Sequence, residues 1–108
     1  MIYALNVFNL LSSKENDYRE YSIKAGKIIF SKGGRVVSSG WNPIRKIHGD
    51  VERRYMIVVE FPSEKIFQEF LDEADDKNIH ILREKSTKDY IWTLYEPWDI
   101  KGWVKDAE

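Results

Sequence analysis

The chain has 108 residues, no cysteine, and 17 basic against 18 acidic side chains. That length suits one domain around one core, and the missing thiols exclude disulfides, thiolate zinc sites and cysteine nucleophiles. Near-zero net charge removes the electrostatic footprint of a dedicated nucleic-acid binder, and no apolar run approaches the eighteen or so residues of a membrane span.

In chain order, the amino terminus "MIYALNVFNLLSSKEN" has neither a basic leader nor a small-residue cleavage site. A soluble, unprocessed, cytoplasmic protein is expected. Residues 2–10 predict strand one, with Tyr3, Leu5 and Val7 on one face and Ile2, Ala4, Asn6 and Phe8 on the other. Ser12 stands three residues before Glu15, a capping-box spacing, and predicts a helix over about 13–32. That helix buries Tyr18, Tyr21, Ala25, Ile28 and Ile29 in one stripe. "KGGR" ends it through a glycine in the left-handed region. Residues 35–48 begin as strand two, but Gly40, Asn42 and Pro43 interrupt the ladder near Trp41, and "HGD" at 48–50 is a turn. Strand three occupies 53–61. Pro62 closes it, and Ser63 caps a second helix whose stripe is Ile66, Phe67, Phe70, Leu71 and Ala74 and which stops before Asn78. Residues 79–86 fit either a short helix or a strand. "KDYIWTLYEP" is strand four, with Tyr90, Trp92 and Leu94 opposite Ile91, Thr93 and Tyr95. The tail, 97–108, carries Trp98 and Trp103, which solvent alone would not favour, so it is expected to dock on something.

Two charge runs stand out. Residues 63–76 carry six acids and one lysine, while Lys24, Lys27, Lys32 and Arg35 form a basic run. They are solvated helix faces, or complementary faces of two subunits.

The order strand, helix, strand, strand, helix, strand is the split arrangement of the α+β ferredoxin-like fold: a four-stranded antiparallel sheet with two helices on one face. Such a sheet ordinarily has one wet face. Here strands one, three and four are apolar on both sides, "YMIVV" at 55–59 most of all. A sheet of four strands of about six residues has a footprint of about 400 Å², comparable with the largest apolar patches of monomers. One face packs under the helices, and the other is expected to meet a second copy in an isologous homodimer.

The succession "DYREY" (17–21), "KGGRVVSSG" (32–40), "HGD" (48–50), "VVEFPS" (58–63) and "LRE" (82–84) resembles the domain of unknown function 1330 family, within the dimeric alpha-beta barrel superfamily. The likeness runs over about residues 2–96 and departs from the family pattern at "LDEADDKNIH" (71–80). It implies a ferredoxin-like protomer whose sheet faces its partner's, and no single activity. Relatives in the superfamily include cofactor-independent monooxygenases, haem-binding enzymes and small isomerases or lyases, often with the pocket between sheet and helices.

Several residues are candidates for such a pocket, each with an ordinary structural reading beside the functional one. Asn6 can orient a ligand carbonyl or serve the strand. Glu60 is a candidate base if partly buried, and an arginine partner otherwise. His48 is a proton shuttle or a solvated turn residue. Arg83, the arginine of the family's "LR" segment, offers a bidentate fork to a carboxylate, or pairs with an acid of the second helix. Trp41, Tyr55 and Trp92 form an aromatic wall or simply core. Two histidines 32 positions apart give no metal-ligand spacing, and no phosphate loop, dinucleotide fingerprint or serine elbow occurs. Two main readings stand: a cofactor-independent enzyme acting on a small, partly apolar molecule, with Glu60 or His48 moving protons, and a non-catalytic small-molecule binding module. A third is haem binding through His48 or His80.

Overall fold

A computed structural model describes residues 1–107. Its strands are β1 (Ile2–Leu10), β2 (Arg35–Trp41), β3 (Tyr55–Phe61) and β4 (Thr87–Tyr95); its helices are α1 (Glu15–Ser31), α2 (Glu64–Asp76), α3 (His80–Ser86) and α4 (Ile100–Asp106). The four strands form one antiparallel sheet in the order β2-β3-β1-β4, the ferredoxin-like arrangement expected. To the two expected helices are added α3, which resolves the ambiguous segment before β4, and α4 in the tail.

Register assigns the faces. Ala4 lies opposite Val59 and Leu94, and Asn6 opposite Ile57 and Trp92. These rows point under the helices, where Ala4, Val59, Phe61, Tyr21, Ala25, Phe67 and Phe70 form one buried cluster. The alternate rows, Leu5 opposite Val58 and Val7 opposite Met56, face the other way. The apolar run of β3 is thus divided between a covered core and a face that no helix of the described residues covers.

The local signals hold with one correction. Ser63 caps α2 by accepting a hydrogen bond from the Ile66 amide at 3.1 Å. Gly33, with φ 84, ends α1, and the Gly34 amide donates back to the Ile29 carbonyl at 2.9 Å. Asn78 takes the same left-handed conformation (φ 57) after α2. The expected capping box at Ser12 does not form. The chain turns tightly from Leu11 to Lys14 with Ser13 at φ 65, so Lys14 is the N-cap and no side chain caps the first amides. Ser12 stands a turn too early.

Nor does the tail dock on its own chain. Trp98 and Trp103 are 60% and 67% exposed and pack edge to face on each other at 5.0 Å. No helix of the described residues is long and apolar enough to cross a membrane.

Candidate functional site

Asn6 sits mid-way along the central strand β1, under the helices, and is only 7% exposed. Its Nδ2 donates to the Tyr90 hydroxyl at 2.6 Å. Its Oδ1 is buried without a hydrogen-bond partner. An orphan acceptor in a core is expensive, and Asn6 is among the residues around a cavity of about 370 Å³ beneath α1 that Tyr18, Tyr21, Ile57, Phe70 and Trp92 also line. Ser22 and Lys27 reach it from exposed positions of α1, and the rest of the lining is mainly apolar or aromatic, the usual make-up of a small-molecule site: much hydrophobic surface and a few placed polar groups.

Tyr21, Phe70 and Trp92 also line a second, adjoining cavity of about 340 Å³, which His80 and Arg83 of α3 and Gln68 of α2 border. Arg83 is 19% exposed, and its guanidinium carbon lies 5.9, 5.2 and 5.3 Å from the ring centres of Tyr21, Tyr90 and Trp92. Three aromatic rings therefore hold the cation in place. Its nearest ion-pair partner among the described residues is Glu84 at 3.9 Å, beyond hydrogen-bond reach. His80 Nδ1 is buried and lies 3.3 Å from Asp75 Oδ1 without the geometry of a hydrogen bond.

The phenols share this environment. Burial pushes the pKa values of Tyr18, Tyr21 and Tyr90 up from the ordinary value, and the positive charge of Arg83 opposes the rise. At neutral pH all three are neutral hydrogen-bond donors. The cluster is a fixed cation beside neutral donors and one free amide acceptor, an arrangement that stabilises negative charge on oxygen.

The structure brings Asn6, Arg83 and Trp92 together and leaves the other candidates elsewhere. Glu60 lies on the open face, where its carboxylate accepts a 2.7 Å hydrogen bond from Arg35 Nε. His48 sits in the exposed loop between β2 and β3. Tyr55 stacks on Phe8 at 5.4 Å and, with Trp41, lines a separate cavity of about 220 Å³ beside β2. Sequence reasoning gave Tyr18 and Tyr21 to the core stripe and Tyr90 to a strand face, so it missed all three as site residues. The available signal was the "DYREY" segment, which places two hydroxyls three residues apart on a stripe that is otherwise aliphatic. Among the described residues no group of three His, Asp or Glu side chains is placed to hold a metal ion.

Fold and site together define a ferredoxin-like α+β protein with a polar-tipped aromatic cavity between sheet and helices. The chain belongs to the family described as Domain of unknown function (DUF1330), whose model matches residues 3–95. Among solved structures it is similar to a protein of unknown function from Rhodopseudomonas palustris, at 20% identity and a TM-score of 0.79, over 91% of this chain and 82% of that one. It is also similar to SnoaB, a cofactor-independent oxygenase from Streptomyces nogalater, at 11% identity and a TM-score of 0.59, over 91% and 93% of the two chains. A dimeric protein of unknown function with a ferredoxin-like fold from Bacteroides fragilis matches at 9% identity and a TM-score of 0.58, over 89% and 95%. At such identities the likeness is one of fold. No curated protein matches the chain.

Proposed function

We propose that the chain is a homodimeric, cofactor-independent enzyme that binds a small, flat, partly apolar molecule carrying an acidic oxygen, across the cavity beneath α1 and the adjoining one that Arg83 borders. One observation carries the reading. Arg83, a permanent cation, is largely buried against three aromatic rings with no acid at hydrogen-bond distance, beside an asparagine whose acceptor is unfilled. A buried charge without a partner is costly, and a ligand anion relieves it. In this reading the rings of Trp92 and Tyr21 flank the flat ligand, Arg83 holds its oxyanion, and Asn6, held by Tyr90, accepts a hydrogen bond from a second ligand group. Stabilising an enolate or phenolate in this way is itself catalysis of proton loss. The resemblance in fold to a cofactor-independent oxygenase agrees with this class of chemistry.

Dimerisation through the open sheet face is part of the proposal. Tyr3, Leu5, Val7, Met56, Val58 and Ile91 lie on that face, uncovered by any helix of the same chain, and one neighbour in fold is described as dimeric.

The test is calorimetric titration with 1-hydroxy-2-naphthoate and its uncharged methyl ether ester, on the native chain and Arg83→Met. Binding of the anion alone, weakened at least about tenfold in the variant, is expected from loss of a charge-assisted contact. Equal affinity for both compounds, or no change in Arg83→Met, refutes the reading. Binding without turnover under air favours the binding-module alternative, and a haem absorption band in protein from cells favours the third.

A further inference from the structure

Residues 97–107 leave the sheet as an arm. Trp98, Ile100, Trp103 and Val104 are all at least half exposed, the hydrogen bonds of this segment stay within it, and the matching family model ends at residue 95. The radius of gyration, 15.6 Å, exceeds the roughly 13 Å expected of a compact chain this long. A short helix with two tryptophans in water needs a cover. A second apolar feature lacks one as well: the loop between β2 and β3 exposes Trp41, Ile44, Ile47 and Val51, with Ile44 100% exposed. Register places them at opposite ends of the sheet. The arm leaves beside Tyr95, which pairs with Tyr3, whereas the loop leaves beside Trp41, which pairs with Tyr55 opposite Phe8.

We infer that each arm is a strap that closes on the β2–β3 loop of a second copy of this chain. The inference rests on the sheet-face dimer proposed above. A two-fold axis running across the strands exchanges the two ends of the stacked sheets and so brings each arm to the same end as the partner's loop; the arm leaves edge strand β4 and the loop joins β2 and β3 toward the other edge, about 10–14 Å away, a span that four extended residues such as 96–99 cover. Area argues for the same occupant. The sheet footprint of about 400 Å² per copy buries only about 800 Å² in total, below the roughly 1,200–2,000 Å² of stable interfaces. Each arm offers two tryptophans of about 200 Å² apiece, some three-fifths exposed. Covering both arms, with a like area on each loop, adds about 1,000 Å² and brings the interface into the stable range. Charge agrees in sign: residues 42–54 hold four basic against two acidic side chains, and residues 96–107 three acidic against two basic.

Cross-linking decides it. Native chain labelled with ¹⁴N is exchanged with ¹⁵N chain until native mass spectrometry shows mixed-mass dimers, then treated with a lysine-reactive linker. Links between Lys46 of one isotope and Lys101 or Lys105 of the other are expected. In parallel, Trp98→Ser/Trp103→Ser is expected to raise the dimer dissociation constant at least about tenfold, since clustered tryptophans commonly dominate an interface. Links from the arm confined to one isotope, with an unchanged dissociation constant, overturn the strap while leaving the dimer. A native chain that sediments as a monomer at micromolar concentration overturns both.

Discussion

Replacing Asn6 and Tyr90 together with Leu and Phe should stabilise the unliganded protein, although it deletes a 2.6 Å hydrogen bond. Asn6 leaves a buried acceptor unsatisfied, a penalty of about 1–3 kcal/mol, whereas its bond to Tyr90 returns only about 0.5–1.5 kcal/mol net. Removing both partners abolishes the penalty along with the bond, and the added methyl groups of leucine project toward the cavity of about 370 Å³ beside the strand instead of overpacking a filled core. The double variant should gain about 1–2 kcal/mol, a rise in melting temperature of about 4–8 °C per kcal/mol for a chain of this size. Tyr90→Phe alone should do the opposite. It strands the Asn6 amide donor beside the orphaned acceptor and should cost about 1–2 kcal/mol. Urea unfolding of the four corners of the cycle gives the coupling energy directly. A double variant no more stable than the native chain would refute the claim that this polar pair is held at the expense of stability. Loss of ligand binding should accompany the gain, the usual trade between function and stability.

Two further perturbations test the faces and the phenols. Val58→Lys, on the open face opposite Leu5, should leave the fold intact and yield a monomer by light scattering, whereas Ile57→Lys, packed against the core, should fail to fold; two folded dimers would contradict the assignment of faces. Alkaline pH should also destabilise the protein. Tyr18, Tyr21 and Tyr90 have folded pKa values raised above the ordinary value of 10.0, so above pH 10 the unfolded chain binds fewer protons than the folded one, and stability falls as pH rises. Each phenol contributes a slope of about 1.4 kcal/mol per pH unit between its unfolded and folded values. Unfolding midpoints at pH 9.5 and 11 should therefore separate less in Tyr90→Phe than in the native chain, and equal separations would rule the buried phenol out as a cause.

The fold was legible because local signals and apolar periodicity agree. Ser63 caps α2, Gly33 ends α1, and the alternation of β4 divides Trp92 from Ile91 as the sequence pattern demands. Capping failed at Ser12 because a left-handed Ser13 intervenes, and nothing in the residue types announces that turn. The site was half legible. Asn6 stands out as a polar residue in an apolar strand, and Arg83 as the arginine of the family's "LR" segment. Glu60 carried the same signal, a polar residue ending an apolar strand, yet it has odd-row neighbours on the open face and an arginine partner across the sheet. Parity alone separates Asn6 from Glu60, and parity is fixed only when the register is known.

The protonation states of the site restrict what the proposed chemistry can be. Buried phenols held neutral donate hydrogen bonds and are poor bases, and Arg83 does not deprotonate. No carboxylate borders the cavity that Asn6 lines; in the adjoining one Asp75 lies beside His80. A site strong in stabilising anions and weak in bases works only on a proton that is already acidic, such as that of a phenol or a 1,3-dicarbonyl, with His80 of the adjoining cavity as the candidate acceptor. Affinity for a series of phenols should therefore rise as their own pKa falls toward neutrality, with Arg83→Met flattening the dependence, because the guanidinium interacts with the charge and not with the ring that carries it.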